Sequence, residues 1–489
     1  MSHVRSRDSV GHEGASSPDR PREKCGVFAI TGTSLAAELA FMGLYALQHR
    51  GQESAGIVAV DELGNARSHR GMGLVSDVFD EERLRDLVGP MAIGHVRYST
   101  SGRSEIRNSQ PVLVDYRHGS MALAHNGNIT NGRELRQRLS EEGAIFQTDT
   151  DSEVVIHLIA RSRREEECQQ VDDALSQLGG AFSLVLSVGK TLYAARDSRG
   201  FRPLVLGRLE EAIIVCSETC ALDLIGAEYL RDVQPGEVLR IRDGRIESLR
   251  PLPPASPAPC LFELVYFARP DSRVWGCSFD GARRAFGRQL AREHPVAADC
   301  VFAVPDSSNS AALGYSEESG VAFELALIRN HYVGRTFIYP TQAGRDFRVR
   351  IKYNPVAELI AGRRVVVVDD SLVRGTTSKG LVSLLREAGA REIHFRVASP
   401  PIRYPCYYGI DMPTRAELLG SDHSVEEIRD HLGVDSLGYL SLEGMQAAVE
   451  EFGPYCTACW TGEYLAPLVD LEAGHVQAGD SEAAPTRVR

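Results

Sequence analysis

VVVVDDSLVRGTTSKG spans Val365 to Gly380. Its four consecutive valines suit a strand buried on both faces, the habit of a parallel sheet covered by helices. Asp369 and Asp370 fall at the carboxyl end of that strand, and a turn of Gly375, Thr376, Thr377 and Ser378 leads into a helical pattern. In open α/β sheets ligands lie at that end, where loop amides and a helix N-terminus present N–H groups to an anion. Gly375 lets the backbone approach closely, the three hydroxyls add donors suited to a monophosphate, and the carboxylate pair suits ribose hydroxyls or a hydrated Mg²⁺. No Lys-Ser/Thr follows the glycine at Walker A spacing, which excludes that kind of phosphate loop.

Outward from this stretch the pattern repeats. CVFAVP, from Cys300, is a second apolar run of strand length followed by polar loop residues, and SKGLVSLLREAGA has the period of a helix. The second half of the chain is therefore expected to be a doubly wound α/β domain over residues 256–465. Within it, RNHYVGRTFIYPTQAGRDFRVRIKYNP (Arg329–Pro355) is basic without an amphipathic period. Such a segment suits a cationic hood over a departing diphosphate, with Lys352 as its contact. The proline-dense RPLPPASPAPC (Arg250–Cys260) reads as a semi-rigid linker. Ahead of it, short apolar runs such as GVFAI, GIVAV and FSLVLSV alternate with helical stretches, an α+β domain over residues 25–255. Residues 466–489 read as a flexible tail, and residues 1–24 as a polar, unordered head.

At 489 residues the chain exceeds one core, and 43% hydrophobic with 25% charged residues describes a globular protein. No apolar run approaches a membrane span, and the head lacks a secretory h-region, so a cytoplasmic location is expected. A net charge of −12 argues against a nucleic-acid partner. Under reducing conditions the 10 cysteines are thiols, nucleophiles or metal ligands rather than disulfides.

One of them stands where the polar head of the chain meets the apolar run GVFAI: Cys25, in EKCGVFAI. A free α-amine titrates near neutrality, at about 7.7–8.0, and serves as the base for a nucleophile at a mature N-terminus. Removal of residues 1–24 as a propeptide would give Cys25 such an amine. LQHRGQESAGI (Leu47–Ile57), GHVRYSTSG (Gly94–Gly102), HNGNITN (His125–Asn131) and TDTDSEV (Thr148–Val154) follow in order. With CGVFAI they resemble the glutaminase domain of class II glutamine amidotransferases. That resemblance implies an N-terminal-nucleophile αββα sandwich in which Cys25 attacks the glutamine carboxamide and Asn126 and Gly127 hold the oxyanion. It also implies that Arg97 and Thr100 bind the substrate α-carboxylate, Asp151 takes the α-ammonium, and Arg50 orients the nucleophile region. One cation and one anion are what a free amino acid needs to fix its two ends. Glu153 reads as structural.

VVVVDDSLVRGTT in turn resembles the 5-phosphoribosyl 1-diphosphate (PRPP) signature of type I phosphoribosyltransferases. Asp369 and Asp370 would hold ribose and Mg²⁺, and the loop Ser371, Arg374, Gly375, Thr376, Thr377 and Ser378 the 5-phosphate. YFARPDS (Tyr266–Ser272) and VPDSSNSAALGY (Val304–Tyr315) extend the resemblance, with Ser307 as a further Mg²⁺ or diphosphate contact. The chain from Cys25 to about Tyr464 thus resembles the glutamine phosphoribosylpyrophosphate amidotransferase family. The resemblance implies ammonia transfer through an internal channel to carbon 1 of PRPP, the first committed step of purine synthesis. It also implies a homotetramer inhibited by purine nucleotides.

Cys456 and Cys459 form a CxxC, a spacing that serves redox exchange or metal ligation alike. Periodicity does not choose further ligands among Cys216, Cys220, Cys260, Cys277, Cys300 and Cys406. Resemblance to the iron–sulfur branch of the family selects Cys260 and Cys406, implying a [4Fe–4S] cluster on Cys260, Cys406, Cys456 and Cys459, structural or oxygen-sensing. Other readings are a PRPP-binding regulator, which has no use for Cys25, Arg97, Asn126 and Asp151 together, and a glutaminase with another acceptor, which has none for Asp369 and Asp370.

Overall fold

Period-two burial organises the first half of the chain. In the strand Gly26–Thr31, Val27 and Ala29 enter one core while Phe28 and Ile30 enter another with helix Ala36–Ala46. The computed structural model describes residues 25–98, 104–117, 119–331, 349–412 and 414–472. The propeptide expected at 1–24, Thr100 and most of the basic segment before Lys352 lie outside the described residues.

Gly26–Thr31 is central in a seven-stranded antiparallel sheet, between Ala212–Cys216 and Met91–Arg97. A six-stranded antiparallel sheet faces it, with Gly119–Ile129 paired to Gly180–Val188. The core between them is built from Val27, Ala29, Val58 and Ile93 on one side and Ala122, Ala124, Val185 and Ala194 on the other. Helix Ala36–Ala46 covers the outer face of the first sheet, and helices Gly132–Glu141, Glu153–Arg161 and Glu167–Leu175 that of the second. Four layers in this order are the αββα sandwich.

The second half holds four parallel strands, Cys300–Ala303, Arg364–Asp369, Glu392–Val397 and Ser436–Tyr439, in that spatial order. Along the valine run, Val365 and Val367 pack with Leu381, Leu385 and Ile428, while Val366 and Val368 pack with Phe286, Leu290 and Ala312. Helices thus cover both faces, which is why the run is uninterrupted rather than alternating. Cys260, Leu261, Phe262 and Phe279 share one apolar cluster with Phe28 and Leu44, so the two halves are joined by continuous packing.

The linker is anchored as well: Ala258 N–H donates to the Arg199 carbonyl at 2.7 Å and Cys260 N–H to the Phe201 carbonyl at 3.1 Å. The reading of 466–489 as a flexible tail needs correction over 466–472. Ala466 and Leu468 are buried, and Val469–Glu472 is helical against the first domain. Low aromatic content misled the sequence reading, because the tail is held by polar contacts to Thr130 and to the helix start at Gly132. No helix among the described residues is long and apolar enough to cross a membrane.

Candidate active sites

Cys25 leads directly into the central strand and is 8% exposed. Its Sγ–H donates to the Tyr98 carbonyl at 3.4 Å. Burial pushes the thiol up to about 11, with the Tyr98 contact and the Arg97 charge opposing and Glu53 and Asp151 adding to the rise. Arg97, Glu53 and Asp151 therefore gather around the sulfur, as a site for an amino acid requires. At that pKa on the order of one thiol in 10⁴ is ionised at pH 7, so the nucleophile needs a local base.

The oxyanion candidates lie on Gly119–Ile129. Asn126 is fully buried, yet neither atom of its side-chain amide has a hydrogen-bond partner among the described residues. An orphaned buried amide costs about 1–3 kcal/mol and is retained where a ligand completes it. Gly127 sits at φ +154° within the strand, and a Cβ there would lie 2.0 Å from the Ala181 carbonyl oxygen, so no larger residue fits this position. Asp151 accepts from Ile129 N–H at 2.8 Å and from the Ser152 hydroxyl at 3.3 Å, which sets it at the end of the same strand. Arg97, the residue expected to bind a substrate carboxylate, is buried and ion-paired with the Glu53 carboxylate. His95 is a core histidine, held at about 3 by burial and bonded to the His125 carbonyl at 3.0 Å.

Arg50 is a brace. Its Nε donates to the Cys25 carbonyl at 3.2 Å, Nη1 to Glu218, and Nη2 to Glu263 at 2.9 Å, all buried. Arg50 is thereby tied to the Cys25 backbone and to two buried carboxylates, as an orienting residue would be. Arg202 reaches Glu263 from the other side at 2.9 Å and the Tyr408 carbonyl at 3.0 Å. Burial alone would raise the Glu218 carboxyl, but His49 and Arg50 outweigh it and hold it at about 2. Sequence reasoning missed Glu218 and Glu263. The available signal was a lone carboxylate within the apolar run Leu261–Phe267. Glu153 behaves as read: its carboxylate accepts from Gln147 N–H, Thr148 N–H and the Thr148 hydroxyl at 2.7–2.8 Å.

In the second half, Asp369 and Asp370 end the valine strand, nearly fully buried. The Ser307 hydroxyl donates to Asp370, Ser308 reaches Asp369 at 3.2 Å and Asp370 at 3.3 Å, and Ser371 donates to Asp370 at 2.7 Å. The strand ends Ala303 and Asp369 thus bring Ser307 and both carboxylates into one oxygen-rich group; Ser308 was not foreseen. Hard oxygen donors of this kind suit Mg²⁺. Gly375, at φ +77°, opens helix Thr376–Glu387, placing Thr376, Thr377 and Ser378 in its first turn. Arg374 is turned to Glu417 at 2.7 Å. Lys352 lies 5.1 Å over the Tyr353 ring, and its carbonyl accepts from Asn330 N–H.

Of the cysteines, four converge. Cys260 and Cys456 are bridged backbone to backbone, and the Cys459 carbonyl accepts from Arg403 and Tyr404 N–H. The Cys406 sulfur accepts from Tyr408 N–H at 3.4 Å. Burial raises all four thiols, and the charges of Cys260 and Cys406 raise Cys456 and Cys459 further. Even so, among the described residues no group of three or more His, Cys, Asp or Glu side chains is closed tightly enough to hold a metal ion. The donor chemistry fits an iron–sulfur cluster: four thiols, three of which act by charge on Cys459.

A glutamine amidotransferase domain model matches residues 95–224. The chain is 51% identical over 464 residues to amidophosphoribosyltransferase 2, chloroplastic, of Arabidopsis thaliana, covering 94% of this chain and 82% of that one. The chain belongs to the amidophosphoribosyltransferase family. It superposes with a TM-score of 0.87 and 47% identity on the glutamine PRPP amidotransferase of B. subtilis complexed with ADP and GMP, covering 91% of this chain and 98% of that one. A structure described as the allosteric regulatory enzyme of purine biosynthesis matches at 0.87 and 46%, covering 94% and 98%. Like other amidophosphoribosyltransferases this chain is a glutamine-dependent amidotransferase, with the two-domain fold of that family.

Proposed function

We propose that the chain hydrolyses glutamine at Cys25 and passes the ammonia through an enclosed path to carbon 1 of PRPP, giving 5-phosphoribosylamine, glutamate and pyrophosphate. The observation that carries this reading is the buried Asn126 amide, unpartnered among the described residues, beside Gly127 in one domain, in a chain whose other domain ends a valine strand in a hydroxyl-bound carboxylate pair.

Removal of residues 1–24 leaves an α-amine on Cys25. The amine takes the thiol proton, sulfur attacks the carboxamide carbon, and the oxyanion is met by Asn126 and the Gly127 N–H. Arg97 leaves Glu53 for the substrate carboxylate, assisted by Thr100, while Asp151 holds the ammonium. The protonated α-amine returns its proton to the departing nitrogen, ammonia leaves as the thioester forms, and water then releases glutamate and restores the thiol. Free ammonia would be protonated in bulk water, so closure by Lys352 and the basic segment before it supports productive transfer. Ser307, Asp369 and Asp370 would hold Mg²⁺, which supplies charge neutralisation for the departing pyrophosphate. Ser371 and Arg374–Ser378 hold the 5-phosphate.

Cys260, Cys406, Cys456 and Cys459 would hold a [4Fe–4S] cluster, which when bound cross-links the linker to the C-terminal segment. The reading includes a cytoplasmic homotetramer inhibited by purine nucleotides. Mature protein given glutamine and PRPP should form glutamate and pyrophosphate in equal amounts. Glutamate without pyrophosphate would assign a different acceptor. Protein purified without oxygen should carry about four irons per chain, and an active, iron-free preparation would remove the cluster from the account.

A further inference from the structure

The segment His125–Gly132 is gripped from outside its own domain. Gly409, at φ +98°, lies so close to Gly127 that a Cβ there would sit 2.8 Å from the Gly127 carbonyl carbon and 3.0 Å from its Cα and oxygen. Ala181 closes on Gly127 from the neighbouring strand, so the Gly127 backbone has peptide neighbours at both Ala181 and Gly409. One residue on, Asn128 Nδ2 donates to the Tyr407 carbonyl at 2.9 Å.

The far end of the chain adds a second grip. The Thr130 hydroxyl donates to the Pro467 carbonyl at 2.7 Å, and Asp470 N–H donates to the Thr130 carbonyl at 3.0 Å. The Asp470 carboxylate accepts from Arg133 and Glu134 N–H at 2.8 and 3.0 Å, capping helix Gly132–Glu141. The two grips are tied together: the Tyr408 hydroxyl donates to the Ala466 carbonyl at 2.8 Å and accepts from Ala466 N–H at 2.7 Å. The Tyr408 ring stacks on Phe201 with centroids 4.4 Å apart.

We infer that Tyr407–Gly409 and Pro467–Asp470 form a clamp that fixes the Gly127–Asn128 peptide and, through the shared Gly127 Cα, the direction in which the Gly127 N–H is aimed toward the oxyanion. This inference rests on the reading of Asn126 and Gly127 as the oxyanion hole. An oxyanion donor contributes only when it is aimed before charge develops, because reorienting it during the reaction consumes the stabilisation it supplies. The clamp residues touch no substrate; they position the group that does. Glutamine hydrolysis in the first domain then depends on residues beyond position 400.

Gly409→Ala tests this directly, since the added methyl group must push the Gly127–Asn128 peptide aside. The expected result is a kcat for glutamine hydrolysis lower by about tenfold or more, with KM for glutamine within about twofold. Alkylation of Cys25 by iodoacetamide needs no oxyanion hole and should keep its rate, as should ammonia-dependent amination of PRPP. Asn128→Asp, which sets a carboxylate against the Tyr407 carbonyl, should show the same pattern at about threefold, and it decides the matter if Gly409→Ala is insoluble. An unchanged kcat, or loss of the ammonia-dependent reaction in equal measure, would overturn the clamp. An Asn126→Ala protein that splits glutamine at the wild-type rate would instead overturn the underlying reading of the oxyanion hole.

Discussion

Cys25→Ser should abolish glutamine-dependent synthesis of 5-phosphoribosylamine, by about 10⁴-fold or more, while ammonia supplied from solution still reacts with PRPP. The size of the effect follows from chemistry that no neighbour can replace. Serine keeps the volume and the contact to the Tyr98 carbonyl, so the fold is retained, but its oxygen is a far weaker nucleophile at neutral pH. The group of Ser307, Asp369 and Asp370, proposed for PRPP, is built on other strands and is untouched by the substitution. Steady-state rates with glutamine and with ammonium chloride, measured on one preparation, separate the two functions. Loss of both rates together would refute two sites in one chain.

The second large effect is expected from Asp369→Asn combined with Asp370→Asn. Consumption of PRPP should fall by on the order of 10²–10³-fold for each carboxylate removed, with either nitrogen source. Asparagine preserves shape, and Ser307, Ser308 and Ser371 can still donate to the remaining carbonyl oxygens, so circular dichroism and thermal melting should remain close to wild type. What is lost is the negative charge for Mg²⁺ and the acceptors for ribose hydroxyls. Unimpaired PRPP turnover in the double variant would remove these residues from the site.

Much of the fold was legible where sequence carries local physics. Val365–Val368 announced a strand covered on both faces, and the structure sends alternate valines into two cores. The alternation of Val27 and Ala29 with Phe28 and Ile30 likewise divides between two layers. Residues that act through distant partners were harder to read. Arg50 was seen as an orienting group, but its partners Glu218 and Glu263 lie 168 and 213 positions away. Asp470 looked like part of a frayed end because the helix it caps begins at Gly132. The cysteines mark the same boundary. The CxxC spacing was visible, whereas the convergence of Cys260 and Cys406 on it came only through resemblance, since no local period links positions so far apart.

Electrostatics gives the reason for proposing that the processed chain starts at Cys25. Buried Cys25, pushed up to about 11, faces Glu53 and Asp151 as well as Arg97, and these carboxylates disfavour the thiolate. In the proposed processed form, an α-amine on the same residue would remove the proton at the moment of attack without requiring a standing thiolate. The direct test is intact mass spectrometry and a glutaminase assay on one purified sample. The account predicts a chain that begins at Cys25, with activity in proportion to the fraction so processed. A chain that retains residues 1–24 and hydrolyses glutamine at the full rate would contradict it.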